Sequence, residues 1–223
     1  MKKIKVIIFD AYGTLFDVNS AAKKCKEKIG DKWESFANYW RTTQLEYTWL
    51  RSLMKRHKNF WQITEDSLDK SLLAFKIEAS MRSELLNLYK ILNTFPEVKE
   101  VLKHLKEKKY KLSILSNGTP DLLDELVKSN NLEKIFDDIF SIEEVGIYKP
   151  DAKVYDIPIK KYNIAKDEVA FLSANTWDVS GAGNFGLNAI WVNRNKNIFD
   201  KLDYIPHNEI INLNELLKLI KNE

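Results

Sequence analysis

Lys5-Val6-Ile7-Ile8-Phe9-Asp10-Ala11-Tyr12-Gly13-Thr14-Leu15 decides the fold. Its run of β-branched and aromatic residues predicts a buried strand that stops at an acid. Gly13 permits a sharp turn after that acid. Ligands of open α/β sheets bind outside the carboxyl ends of the strands, so Asp10 is placed at the edge of a pocket and not in the core. An acid at a strand end, taken alone, more often caps a turn. The other strand ends give Asp10 its weight.

Downstream of Leu15 the pattern becomes helical. Trp33, Phe36, Trp40, Tyr47, Leu50 and Met54 recur at helical spacing, and helical patterning continues over Ser67 to Phe75 and Ser80 to Leu92. No strand is expected between about Phe16 and Thr94. Arg41 and Gln44 interrupt the apolar stripe of the first long helix. Pro96 restarts the α/β part. Glu97 to Lys108 predicts a helix and Lys111 to Ser116 a strand. Thr119 and Pro120 open the next helix as N-cap and first helical residue. Phe136 to Ser141, Glu168 to Ser173 and Asn188 to Val192 read as strands, and Leu213 to Ile220 as a closing helix. Asp151 to Tyr162 reads as a helix that Pro158 should kink or shorten. Strands alternating with helices imply an α/β fold with a doubly wound, mostly parallel sheet and right-handed crossovers. Residues 1–15 and 95–223 are assigned to the core, and residues 16–94 to an inserted helical cap over the strand-end pocket.

Composition narrows the function. A net charge of +3 without a long like-charge block gives no reason to expect nucleic acid or a membrane surface as partner. No apolar run approaches the ~18 residues of a membrane span, and the N-terminal apolar run ends too early for a signal peptide. The one cysteine, Cys25, excludes an intrachain disulfide and fits a reducing cytosol. Its lysine neighbours favour a small packing residue over a nucleophile. His57, His104 and His207 are scattered and lack metal-ligand spacing.

Each core strand ends in polar residues: Asp10 and Thr14, then Ser116 and Asn117, then Lys149, then Ser173, Asn175 and Asp178. A parallel sheet brings these to one edge. Two carboxylates, a lysine and a hydroxyl–amide pair around one pocket form a catalytic inventory. The motifs around Asp10, the Ser116 strand end, Lys149-Pro150 and Asp178, in this order, resemble those of the haloacid dehalogenase superfamily, with its Rossmann-like core. Position 12 divides that superfamily. Its phosphatases carry a second aspartate there, which protonates a departing alkoxide. Here it is Tyr12, and a halide leaves without a proton. Trp40-Arg41-Thr42-Thr43-Gln44-Leu45-Glu46-Tyr47-Thr48-Trp49 and Ser173-Ala174-Asn175-Thr176-Trp177-Asp178 further resemble segments of the L-2-haloacid dehalogenases.

That resemblance implies roles. Asp10 attacks the halogen-bearing carbon with inversion and carries the ester intermediate. Asp178 activates the water that hydrolyses it. Lys149 keeps both acids ionised. Ser173, Asn175 and Tyr155 orient the lysine and the second acid, and Thr14 positions Asp10. Arg41, Asn117 and Trp177 cradle the halide. Ser116 and the backbone N–H groups after Asp10, from Ala11 onward, bind the substrate carboxylate. Tyr12, Leu45, Phe60 and Trp177 form the apolar wall. The resemblance also implies no organic cofactor, no metal and a homodimer in the cytoplasm. Two alternatives remain: a magnesium-dependent phosphatase using Asp178 as a metal ligand, and a binding module that has lost turnover. Gly181-Ala182-Gly183-Asn184-Phe185-Gly186 matches the dinucleotide fingerprint, but several residues separate it from its strand. Close helix–sheet packing is the simpler account.

Overall fold

The computed structural model describes residues 4–221. Among them six strands form one sheet: β1 (Val6–Phe9), β2 (Lys111–Ser116), β3 (Asp138–Ser141), β4 (Val169–Ser173), β5 (Asn188–Val192) and β6 (Asn208–Ile210). Their order is β3-β2-β1-β4-β5-β6, and every neighbouring pair is parallel. The chain winds outward in one direction from β1 and in the other from β4. The β1/β4 boundary is therefore the switch point where such sheets open a crevice. Phe9 is in register with Ile114 on one side and Leu172 on the other. Asp10, Ser116 and Ser173 consequently leave the sheet at the same edge. β1 is buried along its whole length, as a two-sided central strand must be.

Five helices lie between β1 and the rest of the sheet: α1 (Ser20–Lys24), α2 (Lys26–Ile29), α3 (Trp33–Leu53), α4 (Phe60–Phe75) and α5 (Met81–Lys90). The remaining helices are α6 (Val98–Glu107), α7 (Pro120–Ser129), α8 (Ala152–Tyr162), α9 (Thr176–Phe185) and α10 (Leu213–Lys221). The chain leaves the sheet and returns to it side by side. Phe95 N–H donates to Leu15 C=O at 3.1 Å, and Asp17 N–H donates to Asn93 C=O at 2.8 Å. Asn130 pins this neck, accepting from Thr94 N–H and donating to Leu92 C=O. α3 buries Phe36, Ala37, Trp40, Thr43, Gln44 and Thr48 along one face. Trp40 Nε1–H reaches the Thr64 carbonyl of α4 at 3.1 Å.

The structure corrects several expectations. β6 has no apolar run to announce it, since only Ile210 of its three residues is buried. α4 begins at Phe60, not near Ser67; Asn59 caps it by accepting the Gln62 N–H at 2.9 Å. Thr119 holds the cap position of α7 in extended conformation, but its hydroxyl makes no capping bond and lines a surface groove with Asn59 and Trp61. α8 is not shortened by Pro158; it runs to Tyr162 and ends at Asn163 in the left-handed region. The buried Pro158 gives up one helical bond, and the packed helix tolerates this. The helix that carries the glycine-rich segment packs on β4 and β5, as the packing account expects, and its glycines also make room for a neighbouring helix and loops. A Cβ on Gly181 would stand 2.5 Å from Pro150 Cβ and 2.6 Å from Tyr155 Oη, and one on Gly183 would fall within the Tyr204 ring.

Gly181→Ala should therefore destabilise the protein by about 1–3 kcal/mol. Urea unfolding checks this as a lowered midpoint at unchanged slope.

Candidate active site

Asp10 follows β1 directly and is buried, with its two oxygens in different surroundings. Oδ1 accepts from the Lys149 ammonium at 3.1 Å. Oδ2 accepts from Asn175 Nδ2 at 2.9 Å, from Thr14 Oγ1 at 3.0 Å and from Ser173 Oγ at 3.4 Å. The turn after the strand brings Thr14 back. Ala11 C=O takes the N–H groups of Thr14, Leu15 and Phe16, and Gly13 sits at a φ of 89°. Thr14 Oγ1 also accepts the Ala174 N–H at 2.8 Å, which ties the β1 turn to the β4 turn. The N–H groups of Gly13 and Leu15 are spent within the turn. Those of Ala11 and Tyr12 have no hydrogen-bond partner among the described residues.

Lys149 is fully buried and bridges both acids, reaching Asp178 Oδ2 at 2.9 Å. Its ammonium also lies 5.0 Å from the centre of the Phe171 ring. The Tyr155 hydroxyl donates to Asp178 Oδ1 at 2.7 Å. Burial pulls the Lys149 pKa down, but Asp10 and Asp178 together more than offset it, and it ends above the ordinary lysine value. Burial raises Asp178 to about 6; Lys149 opposes this and Asp10 reinforces it. Burial, with Asp178 beside it, keeps Tyr155 protonated.

Arg41 enters from α3. Its Nη1 donates to Gln44 Oε1 at 2.9 Å and its Nη2 to Tyr12 C=O at 3.4 Å. Asn175 Nδ2 donates to the same carbonyl at 3.3 Å, so the α3 cation and the β4 turn meet at one atom. Asn117 Oδ1 accepts the Lys149 backbone N–H at 3.2 Å, which leaves its NH₂ group free. Ser116 is buried and spends its oxygen on the Gly118 N–H. The Tyr12 ring packs on Phe60 and stacks on Tyr89, with centroids at 5.1 and 5.7 Å. Trp177 meets Trp49 edge-on at 5.4 Å. Leu45 is half-buried on α3, outside the hydrogen-bond network around Asp10. Among the described residues no group of three or more His, Cys, Asp or Glu side chains is arranged to hold a metal. No helix there is long and apolar enough to cross a membrane.

Residues 4–186 match the family model described as haloacid dehalogenase-like hydrolase. The chain belongs to the haloacid dehalogenase-like hydrolases. It is 40% identical to an (S)-2-haloacid dehalogenase of Pseudomonas sp. (strain YL), over 99% of this chain and 96% of that one. It is 37% identical to an (S)-2-haloacid dehalogenase of Pseudomonas fluorescens, over 100% and 99%. Among solved structures it is similar to the L-2-haloacid dehalogenase from Xanthobacter autotrophicus with chloropropionic acid covalently bound. The TM-score there is 0.91, at 30% identity and with 98% of each chain covered.

Around this family core the structure adds residues that the sequence did not mark. Arg194, beyond β5, donates to Thr14 C=O at 2.8 Å and to Glu97 Oε1 at 2.6 Å, and lies 3.8 Å over the Phe95 ring. Glu97 also accepts the Leu213 N–H. This strut holds the Thr14 carbonyl of the Asp10 turn. Gln44 was visible as a polar break in an apolar stripe. Thr64 and Tyr89, which hydrogen-bond to it, gave no signal.

Lys149→Met removes the shared cation and leaves two carboxylates buried together. The loss should be about 3–5 kcal/mol at neutral pH. Asp178, already raised by burial, then loses the cation that opposed the rise, so its pKa in the folded variant lies above its unfolded value. Stability should thus recover as pH falls through that folded value, which denaturant titrations across a pH series will show.

Proposed function

We propose that the protein hydrolyses short L-2-haloalkanoic acids to D-2-hydroxyalkanoic acids and halide. The observation that carries this reading is the asymmetry of Asp10. Oδ2 is held by Thr14, Asn175 and Ser173, while Oδ1 meets only the Lys149 ammonium. The Oδ1 lone pair attacks the halogen-bearing carbon in line with the bond to the halogen, and the halide leaves with that bonding pair. Configuration inverts, and an ester joins Asp10 to the substrate carbon. Asp178 then takes a proton from water, and the water oxygen adds to the Asp10 carboxyl carbon. Negative charge develops on Oδ2, where the three donors already converge. Collapse expels the alkoxide, which recovers the proton from Asp178. Asp10 keeps the water's oxygen and loses its remaining proton to solvent.

The substrate carboxylate is assigned to the Ser116 hydroxyl and the free N–H groups of Ala11 and Tyr12. The halide is assigned to Arg41, the Asn117 NH₂ and the edge of Trp177. Tyr12, Leu45, Phe60 and Trp177 supply the apolar wall. Residues 16–94 act as a cap on a core made of residues 1–15 and 95–223. The paired passages at Leu15/Phe95 and Asp17/Asn93 support that division. A homodimer is the expected assembly; Leu50, Leu53 and Met54 form an exposed apolar end on α3 that suits it. The single buried cysteine suits a cytoplasmic setting.

Chloride release from L- and D-2-chloropropionate, with EDTA present, tests the function. Release is expected from the L-isomer only, with a loss of at least about 10³-fold in Asp10→Asn. Release from neither isomer removes the dehalogenase reading, and phosphate-ester hydrolysis that stops on chelation would replace it. A single turnover in ¹⁸O-water should label Asp10 and not the hydroxy acid, read by mass spectrometry of the protein and product. Asp178 must be ionised to accept the proton, so kcat should fall as pH drops through about 6.

A further inference from the structure

We propose that Gln44 is a positioning residue that holds the Arg41 guanidinium with a neutral oxygen and so keeps its charge available to the departing halide, an inference that rests on the dehalogenase reading above. Arg41 and Gln44 are three residues apart on α3 and so share a face. Gln44 is buried, and its amide can face only one way. The Thr64 hydroxyl donates its proton to Phe60 C=O at 2.8 Å. Toward Gln44 it can then only accept, and it does so from Nε2 at 2.7 Å. Nε2 also donates to Tyr89 Oη at 3.0 Å. Both amide protons are thus taken by Thr64 and Tyr89, and Oε1 is left to accept from Nη1 at 2.9 Å, with the Tyr89 hydroxyl 3.3 Å from the same oxygen.

The second acceptor of Arg41, Tyr12 C=O, is neutral as well. Arg41 has no carboxylate partner among the described residues, whereas Arg51, Arg82 and Arg194 are ion-paired; no ion pair is seen for Arg56 either, but that side chain is exposed. A cavity of about 10 Å³, the size of one water, lies between Val18, Trp40, Arg41, Gln44 and Tyr89, so the guanidinium is not packed shut. Glutamate has nearly the shape of glutamine. At position 44 it would pair with Arg41 as a charge-assisted bond and compete with any anion for the same N–H groups. Glutamine supplies the orientation without the competing charge.

The test compares wild type with Gln44→Glu, Gln44→Met and Thr64→Val, using bromide as the probe. Bromide affinity is read by calorimetry, kcat and KM by chloride release from L-2-chloropropionate, and folding by thermal melting. Gln44→Glu should lose bromide affinity by at least about tenfold and kcat by about a hundredfold. Gln44→Met, which loses more hydrogen bonds but adds no charge, should bind bromide better than the Glu variant. A purely structural role predicts the reverse order. Thr64→Val frees the amide to turn and should lower kcat several-fold in a folded protein, which keeps the question open to test if the Glu variant does not fold. Wild-type bromide affinity in Gln44→Glu, a Met variant that binds bromide no better than Glu, unchanged turnover in Thr64→Val, or no bromide binding by wild type each overturns the proposal. Calorimetry does not depend on turnover. An inactive wild type would therefore defeat the dehalogenase reading while the bromide series still decides the role of Gln44.

Discussion

Everything around the pocket answers to one ammonium ion held between two carboxylates in a dry interior. Burying three charges costs several kcal/mol per ion unless each lone pair and proton finds a partner. Here nearly every one does. Lys149 spans Asp10 and Asp178 and faces the Phe171 ring; Tyr155 takes the other oxygen of Asp178; three donors take the other oxygen of Asp10. These partners come from three stretches of chain, 10–14, 149–155 and 171–178. Pairing β4 with β1 delivers the ends of the first and last to one place, and the loop after β3 brings Lys149 to it. The topology is what makes the burial of the charges tolerable.

The same constraint explains why the turns are fastened to one another. Thr14 serves Asp10 with its proton and Ala174 with its lone pair. Its carbonyl is in turn held by Arg194, which is anchored through Glu97 at the head of α6. A shift of the nucleophile would have to disturb β1, β4 and α6 together. Catalytic geometry of this kind tolerates displacement poorly, and rigid elements hold it better than loops do.

The legible parts of this chain share a property: their signal is local. β1, β2, β4 and β5 are short apolar runs; Asp10 and Asn175 stand just past β1 and β4, Lys149 in the loop after β3, and Asp178 in the first turn of α9. The start of α4 carries little apolar periodicity because Thr64, Ser67 and Ser71 occupy its buried face. Each returns its hydroxyl to a carbonyl three or four residues back, so small polar residues pack where apolar ones were sought. β6 offers one buried residue and no periodicity. Arg194, Glu97 and Tyr89 acquire their meaning from partners 45 to 180 residues away, and no window along the chain contains both members of such a pair.

Charge sets the last requirement. In the proposed reaction the nucleophile, the substrate carboxylate and the leaving halide are all anionic, and they meet in a pocket of low dielectric where like charges repel strongly. Two carboxylates and one lysine leave the buried trio with a net negative charge. An approaching haloacid would be repelled unless a second cation stood apart from the trio. In the proposed reaction Arg41 takes that place: it comes from a different element, is tied to the turn after Asp10 through the Tyr12 carbonyl, and is held by neutral acceptors only. In that reaction, dividing the positive charge would let Lys149 serve the two acids while Arg41 met the charge forming at the opposite end of the breaking bond. A single cation could not do both, because the attacking oxygen and the departing halide lie on opposite sides of the carbon.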